Sequence, residues 1–206
     1  EALKDGNPRL INLNLDDEIE GVGMPCGGSM DVYIEPFKSK PQLLIIGHGR
    51  IAETLSKIGK ILGFSVLVND PIATEEAFPD AETIFQDDLE LDKVRIGSDT
   101  YVVIATQHKS DESSLKRVIG KGVPYVALIA SRKRTGIVLK RLQEDGVKMK
   151  LLREIKAPAG LDIGATTPEE IALSVMVEII SIMKGGSGRP MVDLKGSFLD
   201  DKLNES

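Results

Sequence analysis

Short apolar runs alternate with helically spaced apolar positions along most of this chain. "LLII" (43–46) is continuous and apolar, as in a strand covered on both faces of a parallel sheet. The period then changes: Ile51, Leu55, Ile58 and Leu62 fall at helical spacing, and Gly63 stands where such a helix would stop. "FSVLVND" predicts a second strand, "ETIFQ" (82–86) a third and "TYVVIAT" (100–106) a fourth. A helix is expected over "DESSLKRVIGKG" (111–122), a fifth strand over "VPYVALIAS", and another helix from "SRKRT" (131–135). Strands separated by helices of this length are βαβ units, so the fold class predicted is α/β: a Rossmann-like, doubly wound parallel sheet.

The two ends read differently. "RLINLNL" and "MDVYIEPF" each alternate polar and apolar residues, as half-buried strands do, and an acidic, glycine-rich loop separates them. They predict a small N-terminal strand-rich element over 1–40, followed by the Rossmann-like domain over 41–190 and a polar tail over 191–206. Near that tail, Thr167, Pro168 and Glu170 form a capping-box start. The helix that follows, Pro168 to Lys184, is apolar nearly all round, which predicts burial against the sheet or a second chain.

Composition narrows the function. A formal charge of −6 over 206 residues excludes a surface built to neutralise nucleic-acid phosphates. The single cysteine forms no internal disulfide, and no signal-like or membrane-length apolar run is present, so a cytoplasmic location is expected, with no membrane partner. The chain opens at Glu1 rather than Met, as a fragment or a processed product would.

Candidate chemistry gathers at the sheet's carboxyl end. "GHGRIA" (47–52) follows a strand, opens a helix and precedes an acid, Asp70, by about 20 residues, the context that makes a Gly-x-Gly-x-x-Ala turn informative. Gly47 would permit the tight turn, Gly49 would admit a pyrophosphate and Ala52 would let the helix pack closely. Asp70 would accept from a ribose hydroxyl. The first and fourth strands of such sheets are neighbours, so Thr106, Gln107 and His108 should face His48 and Arg50 across one crevice. Ser131 and Arg132 open a helix with an excess of cations that an anion would resolve, although a solvated basic turn explains the same residues. The pairs Asp16/Asp17, Asp87/Asp88 and Asp200/Asp201 read as solvated loops. Cys26, between Pro25 and two glycines, is either a presented thiol or a small buried hydrophobe.

Several of these stretches together resemble one family. "GMPCGGSMDVYIEP" is similar to the Cys-Gly-Gly segment of the XdhC/CoxI xanthine dehydrogenase accessory factors, and "APAGLDIGATTPEEIALSVMVEII" to their Gly-Leu-Asp-Ile-Gly-Ala segment. "IGHGRIAETLSKIGKILGFSVLVND" and "YVALIASRKRT" look like their Rossmann turn and Ser-Arg element, so the likeness runs from about Gly23 to Gly188. "ATQHKSDESSL" only approximates the family's His-containing motif, and the usual Gly/Ser- and Pro-rich segment ahead of Cys-Gly-Gly is missing, which implies a fragment or a second chain that supplies it.

The resemblance implies a maturation factor that binds molybdenum cofactor (molybdopterin) while a cysteine desulfurase supplies its terminal sulfur, and then delivers it to a molybdenum hydroxylase apoenzyme. Cys26 would hold the molybdenum or accept the sulfur, and Asp162 would join the cofactor-binding residues. Such a factor binds and transfers rather than turning over a substrate, and it is expected as a dimer or hetero-complex. The alternatives left by the residues alone are an NAD(P)-dependent oxidoreductase and a nucleotide-sensing module that uses the same crevice.

Overall fold

The computed structural model describes residues 7–14, 28–36, 40–106 and 110–194. The chain divides into two units, 1–39 and 40–206. In the first, β1 (Arg9–Asn14) and β2 (Ser29–Ile34) form an antiparallel pair with Arg9 opposite Ile34 and Asn14 opposite Ser29. Asn12 Nδ2 donates to Asp31 Oδ1 across the pair at 2.7 Å. The alternation that predicted these strands gathers Ile11, Leu13, Met30, Val32 and Ile34 on one face. Cys26 lies outside the described residues, as do Gln107, His108, Asp16, Asp17, Asp200 and Asp201.

The second unit holds a parallel six-stranded sheet: β3 (Gln42–Gly47), β4 (Ser65–Asn69), β5 (Thr83–Phe85), β6 (Thr100–Ala105), β7 (Tyr125–Leu128) and β8 (Ile155–Lys156). Their order across the sheet is β5-β4-β3-β6-β7-β8, the doubly wound arrangement in which direction of progress reverses between β3 and β6. The expected fold class is the observed one. β7 is shorter than the run "VPYVALIAS": after a last amide bond from Ile129 to the Ile104 carbonyl of β6, Ala130 and Ser131 lead into the next helix. The two-residue β8 and the one-turn helix before it are too short to leave a periodic signal.

Helices α1 (Arg50–Ile61), α2 (Asp111–Val118), α3 (Arg132–Glu144), α4 (Met149–Leu152) and α5 (Pro168–Lys184) cover both faces. Alternate strand residues serve opposite cores. Leu43, Ile45, Val66, Val103 and Ala127 pack with Ala52 and Leu55 of α1 and Val175 and Met176 of α5. Leu44, Ile46, Val102, Ile104 and Leu128 pack with Leu115 of α2 and Val138 and Leu142 of α3. Burial on both faces is why the strands read as continuous apolar runs. The close seating of α1 depends on Gly59, where a Cβ would come within 2.7 Å of Leu43 Cδ2.

One reading needs correction. Asp88 is not solvated: it is 5% exposed, its two carboxylate oxygens accept from the amides of Asp92 and Lys93 at 2.9 Å each, and its carbonyl accepts from Asn69 Nδ2. Backbone donors in the following turn replace the water it gives up. Asp87 is the exposed member, paired with Lys93 at 2.8 Å. Among the described residues no helix is long and apolar enough to cross a membrane.

Candidate functional site in the crevice between β3 and β6

Where β3 and β6 diverge, the sequence turns sharply through Gly47, His48 and Gly49 into α1. Gly47 pairs with Ala105 in register, and its φ of +126° belongs to the region that favours glycine. A Cβ there would run into the Ala105 carbonyl and stand 2.9 Å from the Thr106 nitrogen, so only glycine lets the strands lie this close before parting. Gly49, with φ of +93°, caps α1 and no side chain accepts from the first amides of the helix. A cleft of about 540 Å³ opens here, lined by His48, Gly49, Arg50, Ile51, Ala105, Thr106, Ile129 and Pro168. Volume, backbone donors and the positive end of α1 suit a phosphate-bearing ligand.

The β3 wall carries two polar pairs. His48 Nδ1 lies 2.9 Å from Asp70 Oδ2, directly beyond β4. Arg50 Nη2 donates to Glu169 Oε1 at 2.5 Å, which brings the N-terminus of α5 beside that of α1. The Glu169 hydrogen bond raises the Arg50 guanidinium further above its usual range, and the same bond holds Glu169 below the usual carboxylate range. Glu170 completes a capping box with Thr167; amide donors from Thr167 and then Thr166 bring its carboxyl down to about 2.

The β6 wall is built differently. Thr106 Oγ1 donates to Asp111 Oδ1, and Asp111 Oδ2 accepts from Arg134 Nε at 3.0 Å. Asp111 is 1% exposed. Thr106 is therefore held by a buried ion pair linking the starts of α2 and α3. Arg134 also shows how α3 tolerates its cationic first turn: one of the three charges turns inward to a carboxylate. Ser131 caps α3 by accepting from the Arg134 amide at 3.3 Å, while Ser131, Arg132 and Lys133 are exposed.

The segment from β8 to α5 is anchored from below. Ala159 donates its amide to the Leu128 carbonyl at the end of β7, and Leu161 donates to the Ser174 carbonyl. Glu178 Oε2 accepts from the Gly160 amide at 2.9 Å and from the Tyr125 hydroxyl at 2.6 Å. Burial first, and then the Glu178 carboxylate, push the Tyr125 hydroxyl's pKa up, so it stays a donor. Asp162 beyond this anchor is exposed and, like Ser131 and Arg132, does not line the cleft.

Of the site residues read from sequence, the structure thus brings together Gly47, His48, Gly49, Arg50, Asp70 and Thr106. Sequence reasoning missed Asp111, Arg134 and Glu169. Glu169 stands in the first turn of α5, where the helix dipole alone accounts for an acid, so nothing in the sequence points to Arg50. Asp111 and Arg134 are 23 residues apart on different helices, a separation that carries no motif.

Known proteins resemble this chain in sequence and in fold. The family model described as the XdhC Rossmann domain matches residues 43–179. The chain is 31% identical over 199 residues to "Uncharacterized protein YqeB" of Escherichia coli (strain K12), covering 93% of this chain and 37% of that protein. It is 30% identical over 161 residues to a Bacillus subtilis (strain 168) protein named as a probable xanthine dehydrogenase subunit, covering 75% of this chain and 46% of that one. The chain thus spans less than half the length of either curated relative. A crystal structure described as a xanthine dehydrogenase from Bacillus halodurans matches with a TM-score of 0.64 at 23% identity, over 92% of this chain and 63% of that one, a likeness of fold.

Proposed function

This chain belongs to the XdhC Rossmann-domain family, and on that premise we propose that it serves the maturation of a molybdenum hydroxylase of the xanthine dehydrogenase type. In this reading it binds molybdenum cofactor, keeps it while a cysteine desulfurase provides the terminal sulfur, and passes it to the apoenzyme. The observation that supports the reading best is the Gly47–Gly49 turn beside Thr106, where a cleft opens at the N-terminus of α1 and no side chain caps the helix. The name of the Bacillus subtilis relative, a probable component of xanthine dehydrogenase, fits that class of partner.

The residues would divide the work as follows. Gly47 and Gly49 admit the phosphate end of the pterin, the α1 amides and His48 donate to it, and Thr106, held by Asp111, bounds the opposite side. Cys26 is the residue for the metal or the transferred sulfur, since a thiolate is both a soft ligand and a nucleophile. The cofactor itself, when bound, supplies the molybdenum centre on which the client enzyme's hydroxylation depends. Nothing in this role requires the chain to turn over a substrate.

Anaerobic titration with molybdenum cofactor, followed by absorbance, tests the reading, with NADH as the parallel ligand and Cys26→Ser as the variant. Cysteine-dependent pterin binding is the expected result. Binding of NADH alone, indifferent to Cys26→Ser, would replace the reading with an NAD(P)-dependent oxidoreductase. Nucleotide-dependent capture of a partner without pterin would replace it with a sensing module.

A further inference from the structure

In a dinucleotide site of this fold, the acid that ends the second strand must be open to the ribose hydroxyls. Asp70 occupies that place, directly after β4, yet both of its carboxylate oxygens are engaged within the chain. Oδ1 accepts from the Ile72 amide at 3.0 Å, and Oδ2 meets His48 Nδ1 at 2.9 Å. The backbone of Asp70 is fixed as well: its amide donates to the Phe85 carbonyl at 3.1 Å, and its carbonyl accepts from Ala73 at 3.2 Å. The acid is therefore not free to swing toward a ligand.

A carboxylate only accepts, so His48 Nδ1–H faces Asp70; a phosphate oxygen also only accepts, so it is met by Nε2–H, with the imidazolium charge balanced by Asp70. Side-chain exposures of 28% for His48 and 12% for Asp70 put the ring, rather than the acid, at the surface of the crevice. His48 sits between the two glycines of the turn and lines the cleft with Arg50 and Thr106. The other charged groups nearby already have partners: Arg50 has Glu169 of α5, and Asp111 has Arg134 and Thr106.

The geometry points to Asp70 as a positioning residue for His48, which makes the crevice select the pyrophosphate-type end of a phosphorylated ligand and refuse the adenosine ribose of a dinucleotide. A ribose diol on Asp70 would compete with His48 and the Ile72 amide for the two carboxylate oxygens, each of which already accepts one hydrogen bond within the chain. A phosphate beside the glycine turn meets His48 with both of those bonds intact. This inference rests on the crevice being the cofactor's phosphate site, and adds which ligand class is excluded and by which pair.

Calorimetric titration with inorganic pyrophosphate and, separately, NADH tests it on the full chain and on His48→Gln, Asp70→Ala and the double variant. Pyrophosphate should bind the unaltered chain at least as tightly as NADH. Each single substitution should weaken pyrophosphate about tenfold, as expected for one hydrogen bond to a charged group, and the double variant should lose little more because the pair acts as a unit. Asp70→Asn, which keeps the shape, should weaken it less and serves if Asp70→Ala does not fold. The ring ¹⁵N–¹H spectrum of His48 should change tautomer balance in Asp70→Ala; a merely structural acid would lower Tm and leave that spectrum alone. Only two histidines are present, so His108→Gln assigns the signals. NADH binding tighter than pyrophosphate, and lost with Asp70→Ala, would overturn the inference by making Asp70 a ribose acceptor. Pyrophosphate affinity and ring spectrum unmoved by Asp70→Ala would overturn it too. Either result can coexist with pterin binding, whose own titration decides the maturation role separately.

Discussion

On the β6 side of the crevice, Asp111 and Arg134 meet at 3.0 Å with side-chain exposures of 2% and 22%; on the β3 side, Glu169 and Arg50 meet at 2.5 Å with 49% and 74%. The chemistry is the same and the surroundings are opposite. The buried carboxylate has given up its water, so it depends on Arg134 and Thr106 for everything that water supplied. The exposed pair is screened by solvent, and its long side chains lose rotamer freedom when they meet. The β6 wall is therefore fixed by burial, while on the β3 wall the Arg50–Glu169 pair can rearrange around a ligand without unfolding anything.

Substitutions on the two walls should differ accordingly. Asp111→Ala, which leaves Arg134 short of its buried carboxylate, should cost about 3 kcal/mol in urea unfolding; a loss near zero would erase the distinction between the walls. Next comes Gly47→Ala, whose Cβ meets the Ala105 carbonyl at a φ of +126°. A strained backbone of that kind costs about 2 kcal/mol, read as a lower Cm at unchanged m, and it should also weaken pyrophosphate. An unchanged Cm would mean that the turn can open.

Thr167→Ala removes the α5 cap and should cost about 1 kcal/mol. The pH dependence of that cap has a definite sign. Glu170 is held down to about 2, below its unfolded range, so its contribution is complete above about pH 4.5 and is lost as pH falls through about 2. Acid titration of unfolding should show Glu170→Gln losing that dependence, since the amides of Thr167 and Thr166 donate to its carboxylate. The smallest effect belongs to Glu169→Gln, which should leave Tm unchanged within error, because both partners are exposed. A clear drop in Tm would show that the Arg50–Glu169 pair is as fixed as Asp111–Arg134.

Much of the unit from Lys40 onward was legible because its signals are local. The doubly buried strands read as apolar runs, the Gly47–Gly49 turn reads from its place between a strand and a helix, and the Thr167 cap reads from three residues. Boundaries were less legible, as at β7, which ends at Leu128 while the apolar run continues to Ala130. Asp88 read as a solvated loop because adjacent acids usually are; its burial is set by amides four and five residues on.

The sequence by itself determined the layer order, the glycine turn and the crevice it serves, since each depends on residues close together in the chain and on the period of their side chains. Only the tertiary structure decided what the polar residues of that crevice are doing. His48 and Asp70 are 22 positions apart, Asp111 and Arg134 23, and Arg50 and Glu169 119, so their pairing is a consequence of which strands and helices lie side by side. A carboxylate's role follows from its solvent and its partners, and neither is written in the residue or its neighbours in sequence.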